Sequence, residues 1–181
     1  MFNYLLNKFS CALSFVLVLC VSSVAYSQQT CIDYIINDVP DARYIVHADS
    51  TVTDKLTGLM WARCTVGRSG QSCELGEDAK FNWRDAMQAA ADSEWADHRD
   101  WRIPNVDEYR SLVNYSCRSP SINLTIFPNV QSRNNFYWTA EISLLSGRDD
   151  TAPLFDFLDG IQNANFRTGL GKVMLVRQTQ E

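Results

Sequence analysis

The sequence predicts an α+β domain tied by disulfides, and three observations carry that prediction. Apolar residues recur at helical spacing in two segments only, both before residue 117. Short runs rich in β-branched and aromatic residues dominate the chain after it. Cys31, Cys64, Cys73 and Cys117 remain once an N-terminal leader is set aside. Helices grouped before a strand-rich half belong to the α+β class.

Residues 1–27 read as a secretory signal peptide: Lys8 precedes the apolar run "CALSFVLVLCVSSVAY", and Ala25-Tyr26-Ser27 supplies the small-residue cleavage pattern. The run is short for a membrane span, which takes about 20 apolar residues. Residues 28–43 form an N-terminal arm held by Cys31, and residues 44–181 form the domain proper. Tyr44–His47 and Val52-Thr53 favour strand, and Gly58 supplies a turn before the strand "LMWAR". In "NWRDAMQAAADSEW", Asn82 caps a helix whose inner face carries Trp83, Ala86, Met87, Ala90 and Ala91. In "NVDEYRSLVNYSC", Asn105 and Glu108 make a capping box, and Tyr109, Leu112 and Val113 form the buried stripe. Just upstream, in "DWRIP", Trp101 and Ile103 read as core. The later runs "NFYWTAEIS", "PLFDFLD", "NANFRTG" and "KVMLVRQ" read as antiparallel strands, with Gly160 and Gly169 or Gly171 at turns. The last run is expected to pair with an N-terminal strand.

Removal of the leader leaves about 150 residues, enough for one domain with a proper core. The 16 basic and 21 acidic residues give a net charge of −5. A diffuse negative charge without a basic run argues against nucleic acid or an anionic membrane as partner. Export with an even cysteine count reads as two disulfides. Three connectivities are possible; the short Gly/Ser-rich loop "CTVGRSGQSC" favours Cys64 with Cys73, which leaves Cys31 with Cys117.

Motifs for catalysis or metal binding are weak. "DSTVTDKLTG" has Asp49 and Asp54 but Thr51 and Thr53 where a calcium loop needs oxygen ligands, so strand-turn-strand is expected. His47 and His98 have no second ligand at zinc spacing, and "GRSG" and "GLGK" fall short of nucleophile-elbow and phosphate-loop patterns. In "LFDFLD", alternation places Leu154 and Asp156 on one face, expected to be solvated. No catalytic residue, metal site or cofactor is therefore assigned. The polar connections "SLLSGRDD" and "GIQNANFR" offer Arg148, Asp149, Asp150, Asn163 and Asn165 as ligand-binding candidates, because loops on a rigid scaffold carry function and these groups suit sugar hydroxyls or peptide backbone. The loop around Arg68 is the second choice.

"TVTDKLTGLMWARC", the cysteine at 73, "FNWRDAMQAA", "DWRIPNVDEYRSLVNYSC", "PSINLTIFPN", "FYWTAE" and "VMLVR" together resemble the Lcl C-terminal domain family, over residues 44–178. The resemblance implies a C-type-lectin-like fold with two helices packed on small antiparallel sheets. It also implies a secreted bacterial binding or adhesion module, periplasmic or at the cell surface, whose partner is a glycan or an envelope protein. The Glu-Pro-Asn and Trp-Asn-Asp motifs of calcium-dependent lectins do not occur. Two alternatives belong to other classes. One is a cysteine-dependent oxidase of the sulfatase-activating type, which needs two paired free thiols. The other is a structural envelope subunit, which needs a large exposed apolar patch.

Overall fold

A computed structural model describes residues 28–130, 135–142 and 150–179. The proposed leader lies outside the described residues, as do Arg148 and Asp149. In chain order the elements are β1 (Thr30–Cys31), a 3-10 turn (Asp41–Arg43), β2 (Tyr44–Val46), β3 (Thr51–Asp54), β4 (Leu59–Ala62), β5 (Arg68–Ser69) and β6 (Leu75–Gly76). Then follow α1 (Trp83–Ala91), α2 (Val106–Ser111), β7 (Cys117–Arg118), β8 (Phe136–Trp138), β9 (Thr151–Asp156), β10 (Ile161–Phe166) and β11 (Val176–Gln178). The architecture is α+β. The described strands form a four-stranded sheet β11-β4-β3-β2, a three-stranded sheet β10-β9-β8 and the pairs β1-β7 and β5-β6. Every one of these strand pairs is antiparallel.

The stretch from Asp49 to Cys64 is a hairpin. Asp49 Oδ1 accepts from the Thr51 backbone N–H at 3.0 Å and the Thr51 hydroxyl at 2.7 Å, which sets the entry to β3. Asp54, fully buried, accepts from Leu56 N–H at 3.0 Å and the Thr57 hydroxyl at 2.8 Å and is ion-paired to Arg43. Gly58 closes the turn at φ +69°, where a side chain is disfavoured. Both aspartates thus fold backbone. The final strand returns beside this hairpin, with Val176 opposite Trp61, as the sequence predicted.

Two apolar clusters share the interior. The first gathers Trp61, Tyr109, Phe127, Tyr137, Phe155 and Phe157 among others; the second gathers Ala86, Ala90, Trp101, Ile103, Trp138 and Leu154. Strands β8 and β9 divide them, since alternate residues point to opposite faces: Tyr137 and Phe155 enter the first cluster, Trp138 and Leu154 the second. This corrects the solvated face expected for "LFDFLD". Leu154 is 2% and Asp156 6% exposed, because the layer bearing α1 covers that face. A strand buried on both faces reads as a nearly continuous apolar run, and an alternation drawn from two apolar residues and one carboxylate cannot reveal it.

Pro153 sits in the central strand β9, where a missing N–H normally leaves a carbonyl without its donor. Its carbonyl accepts from Thr139 N–H at 3.2 Å, so its absent N–H faces β8. The Thr139 carbonyl there accepts instead from Trp83 Nε1 at 2.9 Å. An indole from α1 thus replaces a ladder hydrogen bond and fixes the helix to the sheet.

Both helices carry their expected caps: Asn82 accepts from Asp85 N–H at 2.9 Å, and Asn105 with Glu108 forms the full capping box. The inner face of α1 is narrower than the periodicity implied. Ala86 and Ala90 are buried, whereas Met87 and Ala91 are exposed. The second helix ends at Ser111, after which Asn114 N–H bonds Ser121 carbonyl and the chain turns toward β7. Trp101 and Ile103 are core. The disulfides are Cys64–Cys73 and Cys31–Cys117, the connectivity expected from the short loop. The first pair is buried; Cys31 is exposed, and its bridge pins the arm through the β1-β7 pair.

Candidate functional site

The late hairpin is built by its turn. Gly160 adopts φ +72°, and a Cβ there would stand 2.5 Å from Val113 Cγ1, so the β9-β10 turn presses on the end of the second helix and needs glycine for both reasons. Six residue pairs follow, from Ile161 opposite Asp156 to Phe166 opposite Thr151, and Arg167 N–H bonds Asp150 carbonyl at 2.8 Å to close the open end.

That open end brings together Asp150, Asn165 and Arg167 beside the start of α1. The Trp83 N–H bonds the Arg167 carbonyl at 2.9 Å, and the Arg167 guanidinium lies 4.8 Å over the Trp83 ring while its Nε donates to Thr151 carbonyl at 3.0 Å. Asn165 Oδ1 accepts from Phe166 N–H at 2.8 Å, and its amide lies against Gly169, so this side chain also shapes the turn. Leu170 is exposed next to Gly169, whereas Phe166, also exposed, points to the opposite face of β10. Asn163 lies apart, mid-strand on β10, two residues from Asn165 and on its face. Of the sequence-derived candidates, then, Asp150 and Asn165 converge. Arg167 and Trp83 join them from positions to which the sequence assigned no ligand role.

The second-choice loop is locked rather than open. Arg68 Nε donates to Asp78 Oδ1 at 2.6 Å, Asn129 Nδ2 donates to the same oxygen at 3.2 Å, and the nearly buried Lys172 ammonium pairs with Oδ2. Burial alone would raise the Asp78 carboxyl, but hydrogen bonds from Lys172 and Arg68 outweigh it and hold its pKa below the ordinary value. Arg63, 8% exposed, donates to the carbonyls of Ile126, Gln71 and Thr125 at 2.8–3.0 Å and so staples the Cys64–Cys73 loop to the 123–127 turn. Among the described residues no group of three or more His, Cys, Asp or Glu could hold a metal ion.

The model of the Lcl C-terminal domain family matches residues 50–177. The chain belongs to this family. No curated protein matches it. In this Lcl C-terminal domain, the matched span covers both apolar clusters except for Val39 and Tyr44 of the arm and β2. The arm adds what sequence reasoning missed: Ile32, Tyr34 and Ile36 are exposed, and Ile32 lines with Tyr115 a cleft at the Cys31–Cys117 bridge that Thr30, Ser116 and Arg118 also line. The signal was present in the apolar string "IDYII". A short apolar string reads equally as buried strand, and only the fold shows that Val39, not these residues, is the arm's anchor in the core.

Proposed function

We propose that the protein is an exported, non-enzymatic binding module of C-type-lectin-like fold, recognising a glycan or an envelope protein through the open end of the late hairpin. The observation that carries this reading is the corner itself. Arg167, Asn165 and Asp150 share the sheet face that meets α1, and exposed Leu170 follows the Gly169 against which the Asn165 amide lies, on a scaffold fixed by Gly160, the Trp83 indole and the Asp78 network. Polar groups flanked by apolar surface suit a sugar ring, whose hydroxyls and C–H faces make the same demands. The two disulfides and the lack, among the described residues, of a helix long and apolar enough to cross a membrane are compatible with export.

The oxidase alternative requires paired reactive thiols, whereas Cys64 and Cys73 are sealed at 3% and 1% exposure and Cys31–Cys117 is the arm's covalent anchor. Non-reducing alkylation of the native protein should label none of the four. A second reading, a structural envelope subunit, draws on the apolar arm.

The test is a screen of the purified exported protein against glycans and envelope proteins, run with calcium and with chelator, and repeated on the Asp150→Ala/Asn165→Ala variant. Binding should fall at least about tenfold in the variant, with the fold retained and chelator without effect. A ligand lost instead on Tyr34→Ser/Ile36→Ser would establish the subunit reading.

A further inference from the structure

We infer that β10 is a self-association edge, through which a second copy of this chain extends the β10-β9-β8 sheet across a two-fold axis at Asn163. The argument starts from hydrogen-bond parity. In an antiparallel ladder, residues alternate between pairs that exchange N–H and C=O and pairs whose groups point away. Arg167 N–H bonds Asp150 carbonyl, so Arg167, Asn165, Asn163 and Ile161 spend their backbone groups on β9, and Gln162, Ala164 and Phe166 point theirs outward. The other side of β9 agrees: Thr139 N–H bonds Pro153 carbonyl, the opposite parity, toward β8.

The outward edge is closed at one end. Phe166 N–H is taken by Asn165 Oδ1 and its carbonyl by Gly169 N–H at 2.8 Å. Gln162 and Ala164 remain, both exposed, and among the described residues nothing bonds their outward groups. A two-fold pairing centred on Asn163 sets Gln162 against Ala164 of the second copy, and Ala164 against its Gln162, so that four N–H···O bonds use all the open groups and no blocked one. Centring on Gln162 or Ala164 instead leaves open groups unmatched or meets the blocked Phe166.

Side chains favour the same register. Gln162 lies against the small Ala164 of the second copy, and the two Asn163 amides face each other in the close pair on the axis, about 4.5 Å between Cα atoms. At each end, Arg167 is brought toward the β9-β10 turn of the second copy, where Asp159 is exposed. The self-matching register of open groups and the opposite charge at both ends point to a copy of this chain rather than an arbitrary strand. A contact of this length buries less than about 1,200 Å², so the dimer is weak, with a Kd on the order of 0.1 mM. It places two ligand corners on one continuous sheet, but it does not depend on the ligand reading.

Sedimentation velocity of the intact exported protein, without ligand, from about 10 μM to about 1 mM tests this. A concentration-dependent monomer–dimer equilibrium is expected. Ala164→Pro removes an N–H that points outward, so it should raise the dimer Kd at least about tenfold while leaving the melting temperature close to wild type. Asn163→Asp sets two carboxylates across the axis and should give a monomer at pH 7 that recovers the dimer as the carboxylates protonate, near pH 4. This exposed-edge variant decides the matter if Ala164→Pro fails to fold. A wild-type chain that stays monomeric throughout overturns the inference, as does a dimer indifferent to both substitutions or one abolished only by Tyr34→Ser/Ile36→Ser.

Discussion

At the level of single residues, Trp101 and Asp78 make opposite kinds of contribution. Trp101 is 3% exposed, packs in the second cluster and donates its indole N–H to Trp95 carbonyl at 3.0 Å. Trp101→Ala should cost roughly 3 to 5 kcal/mol, measured by chemical denaturation, through the cavity and the lost bond. Asp78 works through charge. Its folded pKa lies below its unfolded one, so its stabilisation is present above the unfolded value, near pH 4, and is lost as pH falls through the folded value. Asp78→Asn leaves Lys172 buried without its counter-charge and should cost about 3 kcal/mol at pH 7, a difference that shrinks as the pH of the melt falls through the lowered folded pKa. Asp156 has the reverse sign. Burial raises its pKa, Leu158 N–H opposes that, and the Asp159 charge adds to it. A raised carboxyl contributes stability that is fully present below the unfolded pKa and lost as pH rises through the folded one. Asp156→Asn keeps the acceptor for Leu158 N–H and should raise the melting temperature at pH 7, with no gain below about pH 3.5.

At the level of elements, what was legible was what is local. The two helix caps, the Asp49–Cys64 hairpin and the Cys64–Cys73 loop each depend on residues within about a dozen positions, and the sequence names all of them. Asn105→Ala should cost about 1 kcal/mol in thermal or denaturant unfolding, and Asn105→Asp should cost little, because the carboxylate also accepts from Glu108 N–H. What was illegible depends on partners distant in sequence. The two-sided burial of β9 needs both clusters, the replacement of Pro153's missing donor needs an indole 70 positions away, and the Asp78 network joins residues 94 positions apart. The candidate site divides the same way. "GIQNANFR" marks the hairpin by its turn residues and amides, but Trp83 enters the corner only because α1 docks on the open end of that hairpin. Asn114-Tyr115-Ser116 and Asn123-Leu124-Thr125 match the glycosylation triplet Asn-X-Ser/Thr, yet both asparagines are buried and hydrogen-bonded within the protein, so the pattern serves the fold.

At the level of the whole molecule, two apolar clusters and two disulfides support the late hairpin. The bridges differ in reach, Cys64–Cys73 spanning 9 positions and Cys31–Cys117 spanning 86. Loop entropy makes the long bridge worth about 4 kcal/mol to the folded state, and Cys31→Ser/Cys117→Ser should lower stability by that order while freeing the arm to exchange hydrogen. The measurement that bears most directly on the central claim is amide hydrogen exchange of the intact protein with and without the strongest binder from the glycan and envelope-protein screen. The account predicts added protection at residues 150–152 and 163–170 and at the start of α1, an unchanged core, and recovery of the binder chemically intact. Protection confined to the arm around Tyr34 and Tyr115, or a binder returned as product, would contradict it.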